Sequence, residues 1–170
     1  MRDMLDRLDA MLTRLERTAV GVLMSVAVIV LAADIAGRTL FNLSISWAAE
    51  LTRYSIVWMV MIGASITART GAHISIDALS EVLPERVSIV VIRAGSAIAA
   101  LTCAAMAWYS TSLVMQMTQF GQRSPALEWP MWVVYLAMPV GFGLMSLRFV
   151  QSGAAVSLEQ RRLDLAKSAG

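Results

Sequence analysis

Stretches of this chain run for most of a membrane thickness without a charged residue, among them sixteen residues from Thr18 to Ala33, fifteen from Tyr54 to Ala68 and nineteen from Trp129 to Leu147. Charges collect in the gaps. At about 1.5 Å per helical residue, a hydrocarbon core of roughly 30 Å needs about 20 residues, so each run must extend to its polar or aromatic neighbours. With 58% of its 170 residues hydrophobic and 15% charged, the chain reads as an all-α, polytopic membrane protein with a single membrane domain over residues 1–170. Four transmembrane helices are expected, at approximately 18–40, 47–68, 87–109 and 129–147, followed by a tail over 148–170.

The second run constrains the reading most. Fifteen residues are too few to cross, so this helix must begin near Trp47, which draws Glu50 and Arg53 about one turn inside the boundary. Three residues apart on a helix they share a face and are able to neutralise each other. Asp34 and Arg38 at the end of the first span are four apart, in the carboxylate-first order that favours a helical pair. The segment Phe41 to Ser46 suits a turn, which makes spans one and two antiparallel neighbours. Their charges then fall at one end, and Asp34, Arg38, Glu50 and Arg53 are expected to form one compensated cluster beside Trp47.

Residues 1–17 place Met4, Leu8, Met11 and Leu15 on one side of an amphipathic helix, lying at the membrane surface or running straight into the first span. Its mixed acidic and basic start, without a convincing small-residue cleavage site, argues against a signal peptide. Between spans two and three, Gly/Pro breakers and the pattern Ile74, Ile76, Leu79, Val82, Leu83 predict a short interfacial helix from Asp77 to Leu83. Pro84 suits the first turn of the next helix, with Glu85 beside it. The third span carries Gly95, Ala99, Cys103 and Ala107 at every fourth position, with Ser96, Ala100 and Ala104 alongside, a small-residue ridge that lets another helix approach closely. Gly63 and Gly141 are further close-packing positions. From Ser110 to Gln122 no breaker precedes Gly121, so the third helix is expected to project beyond the membrane. Gly121, Pro125 and Pro130 mark a loop, and Pro139 is placed to kink the fourth span.

Orientation follows from the Lys and Arg distribution. With both termini on one side, that side receives eleven of the fourteen, the other receives only Arg38 and Arg123, and Arg53 lies just inside the membrane. The bias predicts cytoplasmic termini. Trp47, Trp108, Trp129 and Trp132 mark the opposite interface as an aromatic belt.

The chemistry of enzymes is missing from this pattern. There is a single His73, no phosphate-binding glycine loop and no metal-spaced cluster, so neither catalysis, a cofactor nor a metal is expected. A haem-binding membrane anchor would need two axial ligands in the membrane. The basic residues flank apolar spans rather than forming a stripe with aromatics, which argues against nucleic acid. Cys103 has no intrachain partner and reads as a small packing residue. A stand-alone four-span proton-coupled transporter would need an unpaired carboxylate in a span, whereas Asp34 and Glu50 each have an Arg within one turn. The residues by themselves point to a membrane scaffold or accessory subunit.

The order Trp47, Glu50, Arg53, Tyr54, Trp58, Gly63, Arg69, His73, Asp77, Pro84, followed by Gly121, Arg123, Ser124, Pro125, Ala126, Leu127, Pro130, Trp132, Tyr135, Pro139 and Gly141, resembles the small, DctQ-like membrane subunit of tripartite ATP-independent periplasmic (TRAP) transporters. The linked run W-x-x-E-x-x-R-Y, then R-x-x-x-H and later S-P-A-L-x-x-P, carries most of the resemblance, which covers nearly the whole chain. It implies Arg69, His73 and Asp77 as a cytoplasmic motif and Arg123, Ser124 and Pro125 as a periplasmic loop motif. It also implies a bacterial inner-membrane scaffold for a large membrane subunit, with a periplasmic solute-binding protein and membrane lipid as the other partners. The activity implied is sodium-coupled uptake of an organic anion. An accessory or anchor subunit of another membrane complex is the alternative, with a stand-alone four-span proton-coupled transporter as the third reading.

Overall fold

The computed structural model describes residues 2–82 and 85–168, with side chains described for 10–68 and 87–153. It is helical: α1 (Arg2–Phe41), α2 (Ala48–Val82), α3 (Glu85–Phe120), the single turn α4 (Trp132–Tyr135) and α5 (Ala137–Ser168). Among the described residues four helical stretches are long and apolar enough to cross a membrane: Ala10–Phe41, Ala48–Ala68, Val87–Phe120 and Trp132–Gly153.

The 40 residues of α1 make a rod about 60 Å long. The amphipathic segment therefore runs straight into the first span. The rod stops at Asn42, whose φ of 53° is the left-handed conformation that ends helices and that Asn tolerates better than most residues. The amide of Leu43 then donates to the Gly37 carbonyl at 3.0 Å, which closes the end of the helix.

α2 corrects one expectation. The segment from Asp77 onward is not a separate interfacial helix: α2 continues unbroken through Gly71 to Val82. A lone glycine costs a helix only about 1 kcal/mol, and no proline intervenes before Pro84. α3 extends through Phe120, well past Tyr109. The hydroxyls of Ser110, Thr111 and Thr118 donate to carbonyls one turn back, at 2.7, 2.8 and 2.9 Å respectively, so these polar side chains are satisfied within the helix.

The fourth span begins three residues later than its charge-free run. Trp129 and Pro130 belong to the preceding loop, where Arg123 and Pro130 form an isolated antiparallel bridge. The helix is interrupted at Leu136, between α4 and α5. Pro139 explains the break: it has no amide to give the Tyr135 carbonyl, and its ring crowds that oxygen.

The helices pack in the order α1, α2, α5, α3, and among the described residues α1 and α3 do not meet. The outcome is an open layer with two broad faces. Its few buried apolar residues include Ala27, Ala48, Tyr54, Ile62, Ala100 and Ala137. Val22, Ile29, Ile98 and Leu101 are among many large side chains left exposed, a surface suited to lipid, where no hydrophobic force drives helices together.

Close approach is concentrated where α2 crosses α5. A Cβ on Gly141 would lie 2.8 Å from the Cβ of Met61 and 3.0 Å from its carbonyl oxygen. Gly141→Ala should therefore lower thermal stability by about 1–3 kcal/mol through overpacking. Gly63→Ala, where a Cβ meets nothing within 4 Å, should melt no lower than the parent in the same detergent. Equal melting of the two variants would contradict the packing.

Candidate functional site

The described spans contain three carboxylates, and each is held by a different element. Asp34, 4% exposed, pairs with Arg38 at 2.7 Å and accepts the Ile45 amide at 2.8 Å. The i, i+4 spacing builds the ion pair within α1, and the second oxygen then reaches across the turn. Asp34 thus ties the start of α2 to the end of α1.

Glu50 closes a longer connection. Its Oε2 accepts three hydrogen bonds from the loop between α3 and α4: the Ser124 hydroxyl at 2.8 Å, the Leu127 amide at 3.0 Å and the Ala126 amide at 3.2 Å. Consecutive amides turned toward one oxygen form an anion-binding nest, here filled by the protein's own carboxylate. Gly121, at φ 59°, and Glu128, at φ 53°, set the loop's two bends. Glu128 is in a conformation that costs a non-glycine residue roughly 1–2 kcal/mol. Its amide donates to the Ser124 carbonyl at 3.1 Å, the Ser124 amide donates to Trp129 at 2.9 Å, and the Met131 amide donates to Gln122 at 2.9 Å. Ser124 is 3% exposed. One turn along α2 from Glu50, the buried Tyr54 donates its hydroxyl to the Met131 sulfur at 3.5 Å. The W-x-x-E-x-x-R-Y and S-P-A-L segments are therefore two halves of one contact.

The expected single charge cluster is accordingly divided. Asp34 and Arg38 serve the first turn and Glu50 serves the loop, while Arg53 is exposed and makes no ion pair among the described residues. A helix does put Glu50 and Arg53 on one face, but the loop presents three donors to the carboxylate. Trp47 remains 41% exposed at the start of α2, and the Arg123 and Pro125 side chains are exposed.

The third carboxylate was missed in the sequence. Glu16 and Arg148, 3% and 1% exposed, meet inside the layer at 2.9 Å. Arg148 also donates to the Thr13 hydroxyl at 3.1 Å, and the other oxygen of Glu16 accepts from Ser65 at 3.0 Å. Counting charges by side placed Arg148 with the basic residues on the side of the termini. A usable signal was depth: Glu16 lies just before Thr18, and Arg148 directly after Leu147, at the same end of the membrane.

Of the packing positions, Gly141 lies in a close contact, and Gly63 and Gly95 have nothing within 4 Å of a Cβ. Ala99 and Cys103 are half-buried. The face of α3 turned to α5 includes Ser96, against which a Cβ on Gly153 would rest at 3.4 Å. It also includes Ala100, whose carbonyl accepts the Ser146 hydroxyl at 3.0 Å. The intramolecular seam is thus rotated one residue from the expected ridge at Gly95. Arg69, His73 and Asp77 lie outside the residues whose side chains are described.

A groove of about 590 Å³ lies over α2, lined by Leu15, Val22 and Val26 of α1, Trp58 of α2, and Trp129 and Val133 beyond. Its surface is almost wholly apolar, without the convergent polar groups that orient a small solute. Among the described residues no group of His, Cys, Asp or Glu is disposed to hold a metal.

A family model described as tripartite ATP-independent periplasmic transporters, DctQ component, matches residues 7–157. The chain is similar to the C4-dicarboxylate TRAP transporter small permease protein DctQ of Rhodobacter capsulatus, with 39% identity over 66% of this chain and 50% of that protein. It is 28% identical to the ectoine TRAP transporter small permease protein TeaB of Halomonas elongata, over 86% of this chain and 76% of that one. A third relative is the isethionate TRAP transporter permease protein DctMQ of Oleidesulfovibrio alaskensis, at 30% identity over 62% of this chain but only 16% of that protein. The chain thus spans half the length of the first of these and a small part of the third.

Proposed function

Since the chain belongs to the DctQ component family of tripartite ATP-independent periplasmic transporters, we propose that it is the fixed scaffold on which a large membrane subunit carries out sodium-coupled, binding-protein-dependent uptake of an organic anion. What supports a fixed role is the engagement of every carboxylate in the described spans: Glu16 with Arg148, Asp34 with Arg38, and Glu50 with the Ser124 loop. An ion- or proton-coupled carrier needs a titratable or coordinating group that it is able to release. These groups instead join one element to another, so coupling and solute binding fall to the partner.

The relative named permease protein DctMQ, of which this chain matches only 16%, supports a larger membrane partner. Relatives named for C4-dicarboxylate, isethionate and ectoine support a small subunit that does not choose the solute. Membership of the family supports the bacterial inner membrane, and the basic bias supports cytoplasmic termini.

The test is co-expression of this chain, tagged, with the large permease and binding protein expected to be encoded beside it. The large subunit should co-purify, and uptake should require all three. Parental uptake without this chain would overturn the scaffold role. In a Cys103→Ser background, cysteines at Ser44 and Gln122 should react with an impermeant thiol reagent in intact cells, while one at Ser168 should not. The reverse pattern would overturn the orientation and leave the partnership standing.

A further inference from the structure

The end of the layer that carries both termini has two arginines on adjacent helices, in contrasting surroundings. Arg148 of α5 is buried against Glu16. Arg93 of α3 is exposed and has no ion pair among the described residues. It stands at one end of a groove of about 300 Å³ between α3 and α5, with Ser96, Ala97 and Ala100 on one wall and Phe149, Val150 and Gly153 on the other. Small side chains on α3 and the bare Cα of Gly153 open the slot, where a Cβ on Gly153 would already rest 3.4 Å from Ser96. From Arg93 to Ala100 the lining climbs roughly 10 Å along α3, within the apolar span Val87–Phe120.

A guanidinium at the outer end of an apolar slot needs an anion whose remainder is apolar. We propose that this slot binds one anionic phospholipid from the leaflet on the side of the termini, its phosphate on Arg93 and an acyl chain along Ala97, Ala100 and Val150. Arginine matches phosphate oxygens in a bidentate fork, and basic pockets between spanning helices are a recurrent setting for acidic headgroups. Shape argues against a protein helix as occupant. A volume of 300 Å³ spread over about 10 Å leaves a section of roughly 30 Å², whereas a helix about 10 Å across fills roughly 80 Å². The inference rests on the membrane-spanning fold and is independent of the transport reading.

The experiment is native mass spectrometry of the purified full-length chain in neutral detergent, titrated with phosphatidylglycerol or phosphatidylcholine. The parent should retain one phosphatidylglycerol at a concentration about fivefold lower than that needed for phosphatidylcholine, the factor expected of one basic side chain at an anionic surface. Arg93→Gln should abolish the preference while leaving phosphatidylcholine retention as it was, and Arg93→Lys should keep most of it. Ala97→Leu, which fills the slot, should remove both lipids. Millimolar inorganic phosphate should not compete, because the phosphate alone lacks the chain. Since Arg93 is exposed, its substitution tests the charge without disturbing the interior. An unchanged preference in Arg93→Gln would overturn the proposal. So would retained lipid in Ala97→Leu, which would place the bound lipid elsewhere on the chain.

Discussion

Arg148→Met should destabilise the chain by about 3–5 kcal/mol, the range for breaking a buried ion pair by removing one partner. The substitution leaves the Glu16 carboxylate, 3% exposed, without the guanidinium 2.9 Å away, in a place where lipid cannot replace it. Removing both charges is a different matter. Glu16→Leu with Arg148→Met should recover most of the loss, because the desolvation of two ions disappears along with their attraction. Ser65→Ala, which removes one donor to Glu16, should cost only about 1–3 kcal/mol. Thermal unfolding in one detergent, with membrane yield as a second readout, would rank the three. If the double variant proved as unstable as Arg148→Met, the pair would matter through shape rather than charge.

Glu50→Gln should lower uptake by at least about tenfold in the reconstituted three-part system, since charge-assisted hydrogen bonds are about twice as strong as neutral ones and this carboxylate receives three. The amide is the same size, so the expected change is a released loop rather than a hole in the packing. Limited proteolysis should cut between Gln122 and Met131 in the variant and spare the parent. Arg53 provides the discriminating control. Were Glu50 and Arg53 a mutual pair, Glu50→Gln with Arg53→Gln would be milder than Glu50→Gln alone. With Glu50 committed to the loop and Arg53 exposed, the double variant should instead behave like the single one, and Arg53→Gln alone should leave the loop protected. A rescued double variant would restore the mutual pair and remove the loop contact from the account.

The readable part of the sequence and the unreadable part differ for a physical reason. The exclusion of charge over some twenty residues is a one-dimensional property, imposed by the solvent. It was enough to place four spans, the turn between α1 and α2 and the continuation of α3 past Tyr109. Proline and glycine rules likewise anticipated a loop at Gly121 and a break near Pro139. Two linked motifs, W-x-x-E-x-x-R-Y and S-P-A-L, marked both partners of the Glu50 contact without revealing that they touch.

That contact, between residues 74 positions apart, required the tertiary structure. So did the pairing of Glu16 with Arg148 and the lateral order α1, α2, α5, α3. In water, an apolar stripe reports which face of a helix turns inward. In lipid, apolar faces are at ease inside and outside alike, so the rotation and order of helices leave little trace in composition. They are decided by where a few polar groups find partners and where a residue as small as Gly141 lets two backbones meet. Spans, breaks and motifs were properties of the sequence alone; which carboxylate holds which loop was settled when the helices took their places.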